Sequence, residues 1–313
     1  MKNLIYILFL ISSSIIYAQE DSTIVEATVR KPVIGPWHTG TFIDQQTTYT
    51  TVKNHLELEI HHRFTAVDIG INDLFGFYGA SNIRLGLNYG ITENLMLGFG
   101  SEKDKKMQQF LIKYRFLNQS RDGVFPVSAA IYASACINTR EKEYFGLDYS
   151  FTNRMSYYTQ LIISRKWNPN FTTMIGAGYA HINKVESTRV ETEDSVSETI
   201  SYYPKYFNDA IGLSFSARYK IGGKFNIVAQ YEQPFAIGGK GGNGHGSHSE
   251  HPKPIKAKPG LALGFEITTL THSFQMFASS YRGIIPQNNL IMNNFDFTQK
   301  SGIMLGFNVV VKF

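Results

Sequence analysis

The 313-residue chain sets 30 Lys and Arg against 25 Asp and Glu, and the resulting charge of +5 is scattered, so nothing in it calls for a nucleic-acid partner. Hydrophobic residues make up 43% of the chain, yet beyond residue 18 no apolar run approaches the roughly 18 residues of a membrane helix, which excludes a helical membrane protein. Cys136 is the single cysteine, so an internal disulfide is excluded as well.

In chain order, Lys2, an apolar stretch from Leu4 to Leu10 and the Tyr17-Ala18-Gln19 junction read as a secretory signal peptide over residues 1–18, cut near Ala18. The run is too short for a spanning helix. Residues 19–54 follow, with Pro32, Pro36, Trp37 and a Thr-rich run over 47–51. They read as an extended segment that either plugs something or tethers in the periplasm.

From residue 55 the pattern changes to strict alternation, the signature of a strand with one lipid face and one polar face. Residues 55–64 place Leu56, Leu58, Ile60 and Phe64 opposite Glu57, Glu59, His61 and Arg63. Residues 82–90 oppose Ile83, Leu85, Leu87 and Tyr89 to Arg84, Gly86 and Asn88, and residues 110–116 oppose Phe110, Ile112, Tyr114 and Phe116 to Lys113 and Arg115. In residues 211–220, Gly212, Ser214, Ser216, Arg218 and Lys220 form the polar set. Weaker strands fit at 95–100, 127–137, 156–166, 171–181, 225–235, 260–268 and 273–281; those at 156 and 273 carry apolar residues on both sides. The last strand, 303–313, alternates cleanly and ends on Phe313, the type of C-terminal aromatic that barrel-assembly machinery recognises.

The connections alternate in length. Those at 90–94, 118–126, 167–170, 222–224 and 269–272 are mostly short, whereas those at 65–81, 138–155, 182–208, 236–259 and 282–300 are long, with 101–106 the one short member of that set. Short turns on one side and long loops on the other are what a membrane barrel shows between its periplasmic and extracellular ends. The expected fold is therefore all-β: an up-and-down transmembrane antiparallel barrel of about twelve strands over residues 55–313, integral to the outer membrane of a Gram-negative cell.

Residues 40–47 (GTFIDQQT), 56–64 (LELEIHHRF) and 81–89 (SNIRLGLNY) resemble a family of outer-membrane β-barrels of the Bacteroidota known as a domain of unknown function. The likeness runs from about residue 40 to 313. It implies fold and location and carries no activity.

Glu57, Glu59, His61, Arg63, Arg84, Lys113, Arg115, Arg218 and Lys220 are the candidate lumen-lining set, and the expected interior is narrow and polar, crossed by Glu57 and Glu59 paired with arginines and lysines. In the loop GGKGGNGHGSHSEHPKP, His245, His248 and His251 recur every third residue, a weak metal-binding cue set against the entropy of ordering a glycine-rich loop. No cofactor is expected. There is no Gly-x-Ser-x-Gly turn, and the chain reads as no enzyme, its partners being outer-membrane lipids, the assembly machinery and a small solute. The expected role is a narrow solute pathway or a structural and interaction barrel. The alternatives are a lipid hydrolase and a metal-binding surface barrel.

Overall fold

The computed structural model describes residues 30–146, 148–194, 197–238 and 252–313. The expected signal peptide and His245, His248 and His251 lie outside them. Two short strands, β1 (Thr41–Phe42) and β2 (Gln45–Gln46), come first. The wall then starts with β3 (Leu56–Ala66), β4 (Asn82–Gly90), β5 (Leu95–Glu102), β6 (Met107–Leu117), β7 (Ser128–Asn138), β8 (Met155–Lys166) and β9 (Phe171–Ile182). A ribbon of β10 (Ser187–Asp194) and β11 (Ser197–Pro204) intervenes. The wall resumes with β12 (Asp209–Gly222), β13 (Phe225–Ile237), β14 (Gly260–Thr268), β15 (His272–Ser279) and β16 (Met304–Lys312).

Each wall strand pairs antiparallel with its neighbours, β9 pairs with β12, and β16 closes on β3 with Val309 opposite Ile60, giving a closed twelve-stranded barrel. Closure leaves no edge strand, and wall amides pair between strands without water, which is why a sheet can cross a bilayer in this form. The side-chain period of two fixes the faces. Leu85, Leu87, Phe110, Ile112, Leu213 and Phe265 stand outward and exposed, while Arg84, Asn88, Lys113, Ser214, Ser216 and Glu266 on the same strands are buried inside. The two strands of ambiguous face resolve the same way: Ser156, Tyr158, Gln160 and Ser164 face the lumen from β8, and Ser273, Gln275 and Ser279 from β15. No helix among the described residues is long and apolar enough to cross a membrane.

Beyond short 3-10 turns, two connections hold a strand pair or an α-helix that the alternation did not announce. The 182–208 connection contains the β10–β11 ribbon, Ser187 opposite Pro204 through Asp194 opposite Ser197. The 282–300 connection contains helix α1 (Pro286–Met292), seven residues opening on a proline whose fixed φ and missing donor suit the first helical position.

Candidate functional site

The lumen is filled from both ends. From the short-turn end, residues 37–52 enter as a hairpin whose tip is β1 and β2, with Thr41 opposite Gln46. Trp37 packs edge-on against Phe42 at 4.8 Å between ring centroids, and Phe42 and Ile43 are fully enclosed. Beyond these apolar residues, the hairpin is held mainly by polar contacts with the wall. The Ile43 amide donates to Gln275 Oε1 at 3.0 Å, and the Ile43 carbonyl accepts from Asn308 Nδ2 at 2.7 Å. Gln45 Nε2 donates to Glu232 Oε1 at 2.6 Å, while Gln45 Oε1 accepts from Gln160 Nε2 at 2.7 Å. Lys113 Nζ donates to the Gly40 carbonyl at 2.7 Å, and Thr48 shares a hydrogen bond with Ser164 at 2.6 Å.

From the long-loop end, α1 folds inward with Gln287 and Leu290 buried. Gln287 Nε2 donates to Ser156 Oγ at 2.9 Å, and Ile285 joins Met107 and Cys136 in a small apolar cluster. The two fillings meet at Gln230 on β13. Its Oε1 accepts the plug amides of Asp44 at 3.2 Å and Gln45 at 3.3 Å, and its Nε2 donates to Tyr281 Oη of the α1 connection at 2.9 Å.

The charged residues expected in the lumen divide into two groups, one buried inside and one at the rim. Glu59, Arg84, Arg63, Lys113, Arg218, His61 and Glu57 are buried inside. Arg84 Nη1 meets Glu59 Oε2 at 3.1 Å, and its guanidinium lies flat because Gly86 and Gly100 beside it have no side chain; a Cβ at either would come within 2.7 Å of it. Glu57 departs from the expected ion pair, since its Oε1 takes the plug's Gly40 amide at 3.4 Å. Arg63 and Arg218 are paired with acids outside the candidate set: Arg63 Nη2 with Asp44 Oδ1 of the plug, and Arg218 Nε with Glu266 Oε2 of β14, both at 2.6 Å. Arg115 and Lys220 share the inward parity but reach only the rim, where Arg115 Nη2 donates to the Glu93 carbonyl at 2.7 Å and Lys220 is exposed. Among the described residues no three His, Cys, Asp or Glu side chains are placed to hold a metal ion.

At the short-turn mouth, Lys312 Nζ donates to the carbonyl of His38. Burial, then Arg218, Lys312, Lys166 and Lys220, push the His38 imidazole down to about 3. An undocked plug would return it to its ordinary 6.5, so acid protonates the undocked form first. Docking is therefore at full strength above pH 6.5 and weakens as pH falls toward 3. Trp37 reports it: with Trp167 replaced by Phe, its emission should shift to the red between pH 7 and pH 4, and His38→Gln should reduce that shift. An identical shift in both proteins would discount His38.

The site is thus that of a closed membrane barrel with its own N-terminal hairpin inside. The chain belongs to the family described as the membrane bound beta barrel domain (DUF5777), which matches residues 37–313 and so begins where the hairpin enters the lumen. No curated protein matches it. Among solved structures it is similar to the NanC porin (10% identity, 82% of this chain and 98% of that one, TM-score 0.44). It is also similar to the KdgM porin (8%, 82% and 99%, TM-score 0.44). A third likeness is to Omp33 of Acinetobacter baumannii (8%, 84% and 100%, TM-score 0.35).

Proposed function

We propose that this chain is an outer-membrane barrel whose lumen is a small-solute pathway held shut, and that withdrawal of the 37–52 hairpin opens it. The long connections then face the outside, both ends of the chain face the periplasm, the outward apolar belt meets lipid, and Phe313 ends the strand offered to the assembly machinery. The supporting observation is the polar character of the plug's contacts, with main-chain and side-chain hydrogen bonds from Gly40 to Thr48 onto the wall. Water can replace each of those bonds, so a neutral one favours docking by only about 1 kcal/mol net and one to a charged group by about 1.5–3 kcal/mol. An apolar filler would offer no comparable exchange.

In planar bilayers the intact protein should show little or no steady conductance, and a chain lacking residues 37–52 should conduct. If that deletion fails to assemble, Asp44→Ala provides the same comparison in the full chain. Silence from the unplugged barrel would show that withdrawal of the hairpin does not open the lumen. A large stable conductance from the intact protein would contradict closure.

A further inference from the structure

The long-loop end carries a second concavity, separate from the plugged lumen. It is a cavity of about 810 Å³ between the β7–β8 connection and the base of the β10–β11 ribbon, within the usual range for a ligand site. Tyr144 and Tyr149 line one side and Tyr202 the other. Tyr144 is 66% exposed and Tyr202 63%, a large aromatic area to leave open on two loops that could have folded it away.

The rings on the β7–β8 side are held in place. The Arg140 guanidinium lies 4.5 Å over the Tyr144 ring and covers one of its faces, while Tyr144 still lines the cavity. Arg154 sits 5.0 Å over Tyr149 and 4.9 Å over Phe145, and its Nε donates to Tyr149 Oη at 2.6 Å. Nη1 of Arg154 donates to the carbonyls of Asn138 and Arg140, at 2.8 and 2.5 Å. Both arginines are therefore occupied in positioning rings. The charged side chains that line the cavity are Lys142 and Lys184 with Glu143 and Asp148, and the two guanidiniums behind the rings keep their charge.

We infer that this cavity binds a neutral oligosaccharide. One face of a pyranose ring presents C–H groups and packs on a fixed aromatic face, while its hydroxyls both donate and accept. The ammonium and carboxylate groups at the rim satisfy both roles. An acidic chain would meet Glu143 and Asp148, and an aliphatic ligand would leave all four charges unmatched. Tyr is suited to such a surface, being rigid, flat and amphipathic.

The test uses the full chain in detergent and calorimetry with maltohexaose, chitohexaose and laminarihexaose, with tetragalacturonate as the acidic counterpart. At least one neutral hexaose should bind. Tyr144→Ala and Tyr202→Ala should each weaken it tenfold or more, whereas Tyr144→Phe should retain most of the affinity, because the ring and not the hydroxyl stacks. Both tyrosines are exposed, so the barrel should survive these changes, which unaltered gel mobility before boiling would verify. Absence of binding by all three neutral sugars at millimolar concentration would overturn the inference. Equal binding by the alanine variants, or binding of tetragalacturonate alone, would overturn it too.

Discussion

Asp44→Ala should release the plug while leaving the barrel standing. Arg63 is fully buried, and the Asp44 carboxylate, 2.6 Å from Nη2, is its only ion-pair partner among the described residues. The guanidinium would keep neutral acceptors after the change: Asn308 Oδ1 and the His62 carbonyl, both at 2.9 Å from Nη1, and the ring of Phe277 at 4.5 Å. Those contacts satisfy its N–H groups and do nothing for its charge. Uncompensated buried charge dominates when one partner of such a pair is removed, and the usual penalty is about 3–5 kcal/mol. Here that penalty falls on docking. The undocked state admits water to Arg63, and the wall is held independently by twelve strand pairings. The expected readout is a red-shifted Trp37 and bursts of conductance, with gel mobility unchanged. Arg63→Met combined with Asp44→Ala removes the charge along with its partner, so the double variant should recover much of the docking. An Asp44→Ala protein with native Trp37 emission and no conductance would show that the pair does not hold the plug.

The wall was legible because lipid and lumen impose a period of two that no other environment imposes so strictly. Glu57, Glu59, Arg63, Arg84, Lys113 and Arg218 are inside for that reason. The pairing of Glu59 with Arg84 was legible in the same way, whereas the partners of Arg63 and Arg218 were not. Asp44 lies 19 residues before Arg63 in a stretch with no periodicity, since a two-residue hairpin inside a barrel has no solvent face and no lipid face to alternate between. Glu266 sits on a strand with few charged neighbours, and only the lumen's geometry, β12 and β14 flanking β13, brings it to Arg218. Helix α1 escaped notice because seven residues are too short for a 3.6-residue period to stand out.

The interior explains why twelve strands here make no open pore. Eight strands are nearly filled by their own side chains and sixteen or more leave a channel, so twelve leave room that must be taken up by something. Much of this wall is small inside, with Gly176, Gly178, Gly212, Ser214 and Ser216 on β9 and β12. Leu290 of α1 reaches the space over Gly212, where a Cβ would come within 2.4 Å of its Cδ2, and Gln45 of the plug reaches Gln160 on β8. Gln230 bonds both fillings, so the plug and the α1 connection share a wall residue, and displacement of either frees one end of its amide.

Gly90→Ala should have the second largest effect, for a reason of space rather than charge. The chain leaves the lumen across the inner side of β4 at this residue, with Lys53 bridged to Gly90 and the Asn54 amide donating to the Gly90 carbonyl at 2.8 Å. A Cβ there would lie 2.2 Å from the carbonyl oxygen of Val52 and 2.4 Å from that of Thr51, separations that non-bonded atoms do not adopt. Both obstacles are backbone, so no rotamer change relieves them. Gly90 cannot retreat either, because its amide donates to the His55 carbonyl at 3.2 Å and its residue pairs with Met96 of β5. The plug must lift instead, losing the bonds from Thr50 Oγ1 to the Glu93 carbonyl at 2.8 Å and from Thr51 Oγ1 to Met96 Sδ at 3.2 Å. Overpacking of this kind costs about 1–3 kcal/mol and more where backbone blocks backbone. Gly222→Ala is the control, since a Cβ at Gly222 meets nothing within 4 Å, and it should be close to neutral. Trp37 sits at the opposite end of the plug, where the chain enters. A red shift there in Gly90→Ala would show the hairpin moving as one body, whereas native Trp37 emission with unchanged thermal stability would mean that the exit yields locally and the steric argument fails.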